Sequence, residues 1–138
     1  MPLTIEIITP SRKVFSSTAD DVVLPTQSGQ INILPSHIPL TTIIVPGEVV
    51  IVNGTSVETL VVDKGYARVQ GDVISILTEA AIDTDDIDLA AVEAAEERAA
   101  TALARVQANE DFDPAEIEKM EQILRFAAVQ KLIKRPRH

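Results

Sequence analysis

The sequence contains no cysteine and no tryptophan, and only 3% of its 138 residues are aromatic. Without cysteine the chain has no disulfide framework, no thiolate nucleophile and no thiolate zinc site. Histidine is scarce as well, since His37 and the terminal His138 are the only two. No H-E-x-x-H, G-x-S-x-G or phosphate-loop spacing is present. The sequence therefore predicts a protein with no catalytic residues, no metal site and no cofactor.

Basic residues are also in short supply, with 12 Lys and Arg against 21 Asp and Glu and a net charge of −9. Only residues 112–138 have a basic excess, six Lys and Arg against four Asp and Glu. This balance argues against nucleic acid as a partner, because phosphate contacts need clustered cations. No run of 18 apolar residues and no basic, apolar leader is present, so neither a membrane span nor a signal peptide is expected.

The composition changes sharply near residue 83. All five glycines lie before residue 72 and six of the eight prolines before residue 47, whereas fourteen of the sixteen alanines lie at or after Ala80. Turn-forming and β-branched residues thus give way to the best helix former. We predict two domains, residues 1–83 and residues 84–138.

The first domain has the pattern of short β-strands. Leu3, Ile5 and Ile7 alternate with polar residues, and Gly and Pro turns recur about every ten residues. Asn53-Gly54 predicts a type I′ hairpin turn, because both residues tolerate positive φ. The fold class predicted for this domain is an antiparallel β-sandwich or flattened barrel.

The second domain has the period of two helices. One apolar stripe comprises Leu89, Val92, Ala99, Leu103 and Val106, and the other Ile117, Met120, Leu124, Ala127 or Ala128, and Leu132. Asp86 or Asp88 could cap the first helix, while Asp113 and Pro114 open the second. The short connection predicts an antiparallel helical hairpin. Few large apolar residues hold it together, so we expect it to lean on the sandwich or on a partner.

The segment "GQINILPSHIPL", residues 29–40, allows two interpretations. His37 could be a loop histidine that fixes a turn through backbone hydrogen bonds, and Ile31, Ile33 and Leu34 could be ordinary strand core. Alternatively, some of these apolar side chains form an exposed patch, which would indicate a protein interface. From the residues alone the chain is an acidic β-sandwich with a helical hairpin that works through interactions.

Several segments in a fixed order resemble one family. They are "VVLPTQSGQINILPSHIPLTT" at residues 22–42, Gly47, "GYARVQGDVISILTEAA" at residues 65–81, and "DID" at residues 86–88 before an alanine-rich helix. Together they resemble the epsilon subunit of F-type ATP synthases, over nearly the whole chain. The family combines an N-terminal β-sandwich with a C-terminal two-helix hairpin and has no catalytic activity of its own.

The resemblance implies a rotor part bound to the central-stalk gamma subunit and to the membrane-embedded ring of c subunits. The membrane would be contacted only indirectly, through the complex, at the cytoplasmic face of a bacterial plasma membrane. It implies that Gln30, Ile31, Ile33 and His37 lie at the ring and gamma contact. The family usually has glycine where this chain has Asn32, and asparagine is the next most tolerant residue for a left-handed turn.

The resemblance makes the hairpin a regulatory element. When it extends toward the catalytic alpha and beta subunits, a basic second helix meets acidic surfaces and blocks ATP hydrolysis. The basic residues that would do so here are Lys119, Arg125, Lys131, Lys134 and Arg135.

Some members of the family also bind ATP through an I-D-x-x-R-A motif and a pair of arginines on the second helix. The remnant of that site comprises Ile87, Asp88, Arg98 and Arg125, but Ala91 replaces the motif arginine. Because lysine does not reproduce bidentate phosphate binding, we predict weak or no ATP binding.

Two alternatives remain at this stage. One is a purely structural coupling and assembly subunit whose hairpin never inhibits. The other is an unrelated β-sandwich interaction module, for which the resemblance would be fortuitous.

Overall fold

A computed structural model of the chain describes residues 2–36, 39–108 and 113–134. The chain divides into two compact units, residues 1–85 and 86–138. The first unit contains the strands β1 (Leu3–Ile8), β2 (Lys13–Ala19), β3 (Asp21–Thr26), β4 (Gly29–Ile33), β5 (Leu40–Ile44), β6 (Gly47–Asn53), β7 (Ser56–Val62), β8 (Gly65–Gln70), β9 (Val73–Thr78) and β10 (Ala81–Asp83). The second contains the helices α1 (Leu89–Gln107) and α2 (Pro114–Ile133).

The strands form one sheet in the order β10-β7-β6-β3-β5-β8-β9-β1-β2, with β4 paired to β3. The pairings among these strands are antiparallel except for the parallel pair β1 and β9. The sheet curls on itself and brings β2 back to β6, as seen in the hydrogen bond that the Asp20 N–H, just after β2, donates to the Val52 carbonyl on β6 at 2.7 Å. The expected β-sandwich, or flattened barrel, is therefore confirmed.

The core lies between the two inner faces of this curled sheet. The alternation predicted in β1 is observed, since Leu3, Ile5 and Ile7 are fully buried while Thr4 and the other intervening residues are only partly so. Gly65 lets β8 approach β9 closely, because a Cβ there would overlap the Leu77 carbonyl oxygen. Two-residue periodicity thus decides which side chains form the core.

The β6–β7 hairpin differs in detail from the predicted turn. Asn53 pairs with Ser56, so the central turn residues are Gly54 and Thr55. Gly54 has φ 63°, but neither Asn53 nor Thr55 has positive φ. A glycine at the first central position is the requirement of a type II′ turn. The prediction of a type I′ turn centred on Asn53-Gly54 was therefore wrong, although the hairpin is present.

The two helices of the second unit pack antiparallel, as expected. The Asp88 carboxylate accepts the N–H groups of Ala90 and Ala91, at 3.0 and 3.3 Å, and so caps α1. The Asp113 carboxylate caps α2 by accepting the Ala115 N–H at 2.9 Å, with Pro114 in the first turn. These side chains satisfy backbone donors that have no partner within the helix.

The apolar stripe of α2 is only partly as predicted. Ala127 is buried and Ala128 exposed, which decides between the two alternatives. Leu132, placed in the stripe, is 57% exposed, whereas Gln130 is buried and donates its side-chain amide to the Phe126 carbonyl at 3.2 Å. The prediction for Leu132 was therefore wrong, because the inner face of α2 includes Ala127 rather than Ala128, and Leu132, five residues after Ala127, lies about 140° away around the helix.

Candidate functional site

The predicted contact segment forms the β3–β4 hairpin. In its turn, the Thr26 hydroxyl donates to the Gly29 carbonyl at 2.6 Å and accepts the Ser28 N–H at 3.2 Å. Gln30 on β4 is exposed, and Ile31 is half-buried against the core. The hairpin therefore holds a polar side chain outward on a turn that is fixed by its own hydrogen bonds.

One of the predicted contact residues, Ile33, lies in the core. Ile33 pairs with Val22 and is fully buried in the sandwich core, so its side chain is not available to another subunit. Leu34, the next residue, is 53% exposed instead. Burial thus argues against Ile33 as a contact residue, while Leu34 is accessible to a partner. His37 lies outside the described residues.

Asn32 does not occupy a turn. It lies within β4, pairs with Val23, and has no positive φ. Its side-chain amide donates to the carboxylate of Asp21 at 3.3 and 3.4 Å. The expectation of a left-handed backbone at Asn32 was therefore wrong. In this part of the chain the positive φ values occur at Gly29, with 109°, and at Ser36, with 67°.

An apolar row crosses the outer face of four strands, and sequence reasoning missed it. Ile43 pairs with Tyr66, Tyr66 with Leu77, and Leu77 with Ile8. Ile43 is 55% and Tyr66 48% exposed, while Leu77 and Ile8 are half-buried. A cavity of about 250 Å³ lies beside Tyr66, Leu77 and Ile8. Contiguous exposed apolar side chains of this kind mark protein interfaces.

The predicted basic residues of the hairpin differ in exposure. Lys119 is exposed, whereas Arg125, Lys131 and Lys134 are half-buried. Arg135 lies outside the described residues. The clearest contact is that of Lys131, whose ammonium donates to Glu96 on α1 at 2.9 Å.

The Glu96 contact raises the pKa of Lys131. The main cause is the hydrogen bond from the ammonium to the Glu96 carboxylate, and the negative charge of Glu96 adds to it. Glu93 raises the pKa further, while desolvation acts in the opposite direction. Lys131 therefore holds its proton, and its positive charge, more firmly than a solvated lysine does.

The four residues of the ATP-site remnant have different surroundings. Ile87 is buried and Asp88 is occupied as the cap of α1. Arg98 is exposed and lines a cavity of about 430 Å³ together with Arg105. Arg125 is half-buried on α2. The weak ATP binding predicted from the sequence stays a prediction.

Within the described ranges, no three His, Asp or Glu side chains come close enough together to hold a metal ion. The same part of the chain contains no helix with the length and apolar character of a membrane span. The candidate site is thus made of surfaces: the β3–β4 hairpin with Leu34, the apolar row, and the basic residues of α2. A chain that combines a curled β-sandwich, a helical hairpin and such surfaces belongs to the class of subunits that work by binding other proteins.

The comparisons with known proteins name the family. Residues 2–84 match the family model described as "ATP synthase, Delta/Epsilon chain, beta-sandwich domain". The ATP synthase epsilon chain of Acidithiobacillus ferridurans is 33% identical over 132 residues, which cover 96% of this chain and 94% of that one. That of Halalkalibacterium halodurans is 37% identical over 116 residues, 83% and 87% of the two chains.

The chain therefore belongs to the family of ATP synthase epsilon chains, which are not catalytic by themselves. The alternative of an unrelated sandwich module was wrong.

Solved structures support the fold. A chain of the Euglena gracilis mitochondrial ATP synthase, in a structure that comprises OSCP, F1 and the c-ring, aligns with a TM-score of 0.63 at 19% identity. The alignment covers 96% of this chain and 81% of that one. A chain of the Tetrahymena thermophila mitochondrial ATP synthase, from a structure of the central stalk and c-ring, gives a TM-score of 0.56 at 9% identity, with 97% of both chains covered.

Proposed function

We propose that this chain is the central-stalk rotor subunit that couples gamma to the ring of c subunits in a bacterial F-type ATP synthase. Its membership of the epsilon family supports this role. The two structural neighbours belong to assemblies whose descriptions name the c-ring. The observation that carries the proposal is the apolar row on the sandwich, because a contiguous apolar surface is what a protein partner covers.

We assign the apolar row to gamma. The row crosses four hydrogen-bonded strands of the sheet, so it is a rigid surface that loses little conformational freedom on binding. Tyr66 lies in the middle of the row, and a half-exposed aromatic ring with an adjacent cavity is typical of a binding hot spot. Residues 1–83 would thus form the domain that binds gamma.

We assign the β3–β4 hairpin and the residue after it to the c ring. Gln30 and Leu34 are exposed there, and half-buried Ile31 lies between them. The polar and apolar character of this surface fits a contact with polar loops at the rim of a membrane ring. The subunit would then lie at the cytoplasmic face of the plasma membrane, held there through the complex and coupled to the flow of protons or sodium ions.

We further propose that residues 84–138 inhibit ATP hydrolysis when the hairpin opens. The basic residues of α2 would then meet acidic surfaces of the catalytic alpha and beta subunits. Lys131 is bound to Glu96 in the closed hairpin, so opening releases the charge that the inhibited state would use. One lysine would thus serve both states.

The alternative is a structural coupling subunit without inhibition, in which Lys131 stays paired with Glu96. Because Lys131 is already paired within the hairpin, this cation is not available unless the pair breaks. The two functions predict different rates of ATP hydrolysis when the basic residues of α2 are replaced by neutral ones.

The test of inhibition uses the full chain with Arg125, Lys131 and Lys134 changed to Gln. Added to a catalytic complex depleted of this subunit, this variant should allow faster ATP hydrolysis than the unchanged chain. The control carries Arg12, Lys13 and Arg105 as Gln, which is the same change in charge outside α2. Equal rates of ATP hydrolysis with both variants would support the coupling function and contradict the inhibitory one.

The test of the gamma assignment uses Tyr66→Ser. Copurification with gamma should fall about tenfold or more, because hot-spot aromatic residues typically contribute about 2 kcal/mol or more. Val57→Ser is the control, since Val57 is 62% exposed on β7 but lies off the row. Copurification of the Tyr66 variant at the level of the control would count against this face.

A further inference from the structure

The loop after β4 has an unusual backbone conformation at Ser36. Its φ is 67°, and among the residues that the structure describes it is the only non-glycine residue with positive φ. Residues with a Cβ disfavour this region, so such a conformation persists only when surrounding contacts hold it. A contact with the surrounding structure is therefore expected to hold the backbone of Ser36 in this conformation.

The contact comes from a residue 36 positions away. Ser36 donates its backbone N–H to the Asp72 carboxylate at 3.1 Å. The loop has few backbone N–H groups that can donate hydrogen bonds, because Pro35 and Pro39 have none. One side chain from outside the loop therefore accepts a backbone hydrogen bond from it.

Asp72 is itself well anchored. It lies in the two-residue turn between β8 and β9, whose first residue, Gly71, has φ 63°. The Asp72 carbonyl accepts the N–H of Thr4 on β1 at 2.7 Å, and Asp72 is half-buried. The carboxylate that reaches Ser36 therefore projects from the rigid part of the sandwich.

We infer that Asp72 is a positioning residue for the c-ring contact: it holds the loop so that Leu34 keeps the orientation in which it meets the partner. This inference rests on the proposed function, which assigns Gln30 and Leu34 to the contact. Asp72 acts through Ser36 and does not itself touch the partner. The hydrogen bond, rather than the charge, performs the task, because a neutral carbonyl oxygen at the same place would accept the same N–H.

The experiment compares three full-length variants with the unchanged chain. Asp72→Ala removes the acceptor, and Asp72→Asn keeps an acceptor oxygen without the charge. Asp20→Ala is the matched control, since Asp20 accepts the Gly54 N–H at 2.7 Å in a different turn. Two quantities are measured: hydrogen exchange of the Ser36 amide in the free chain, and affinity for gamma alone and for the depleted complex with its c ring.

For Asp72→Ala we expect faster exchange at Ser36 and about threefold to tenfold weaker binding to the complete complex, the range for one lost hydrogen bond. Binding to gamma alone should stay within about twofold of the unchanged chain, a difference smaller than one net hydrogen bond contributes. Asp72→Asn should restore both quantities, and Asp20→Ala should leave Ser36 exchange and ring binding unchanged. A general loss of stability would weaken both binding steps and would not be rescued by Asn.

The inference is overturned if Ser36 exchange does not change in Asp72→Ala, or if it changes while ring binding does not. The proposed contact is tested separately with the double variant Gln30→Ala and Leu34→Ser. If that variant binds the complete complex normally, the contact lies elsewhere, whatever Asp72 does to the loop.

Discussion

Lys131 on α2 and Glu96 on α1 meet at 2.9 Å, 35 positions apart in the chain, and join the end of the second helix to the first half of the other. Both side chains are partly exposed, so salt screens their attraction. The pair therefore adds to the packing of the two helices a contact that a change in solution conditions can weaken.

The first prediction concerns the titration of Lys131. Its pKa is raised by Glu96, so the pair contributes to hairpin stability at neutral pH and loses this contribution as alkaline pH passes the raised pKa. Glu96→Gln should lower the pKa of Lys131 toward its ordinary value. Nitrogen NMR of the lysine side chain measures this directly. An unchanged pKa in the Glu96 variant would mean that the pair does not persist in solution.

A second prediction separates two adjacent residues of the contact segment. Ile33→Ala should destabilise the sandwich by about 2–5 kcal/mol, because it leaves a cavity in the core. Leu34→Ala, at an exposed position, should change the free energy of unfolding by no more than about 0.5 kcal/mol. Chemical denaturation of the full chain measures both values. Similar losses in the two variants would contradict the assignment of Ile33 to the core and Leu34 to the surface.

The third prediction concerns the glycines. Gly65→Ala should destabilise the chain by about 3 kcal/mol, since the new methyl group would overlap the Leu77 carbonyl oxygen and lie 2.8 Å from the Thr78 Cα. Gly54→Ala meets open space and changes only the left-handed backbone, which costs roughly 1–2 kcal/mol. Thermal unfolding of both variants shows which substitution destabilises the chain more. A larger loss at Gly54 would show that β8 and β9 can separate easily.

ATP binding gives the fourth prediction. Calorimetric titration of the full chain with ATP should give no binding in the micromolar range, because Asp88 caps α1 and Ala91 stands where the motif has arginine. Ala91→Arg restores one guanidinium of the motif and is the matched test of this reasoning. Micromolar binding by the unchanged chain would overturn the prediction.

Local patterns predicted the elements well. The alternation at Leu3, Ile5 and Ile7 was enough to assign a strand, because two-residue periodicity is a property of one segment. Asp113 was recognisable as a cap for the same reason, since a cap and the donors it satisfies lie within three residues, and the cap of α1 was narrowed to Asp86 or Asp88. The hairpin of α1 and α2 followed from their short connection.

Features that depend on pairing between distant segments were not predictable in this way. The burial of Ile33 and the exposure of Leu34 follow from the register of β4 against β3, which a run of apolar residues does not define. The apolar row requires the order of four strands, including the parallel pair β1 and β9. The contact of Lys131 with Glu96 depends on how two helices face each other.

The most direct test of the account is ATP hydrolysis by the cognate catalytic complex after depletion of this subunit. Either the full chain or a chain that ends at Asp85, the last residue of the first compact unit, is added back. We predict that both bind and that only the full chain suppresses hydrolysis. Equal hydrolysis rates with both bound chains would contradict an inhibitory hairpin and leave a coupling subunit alone.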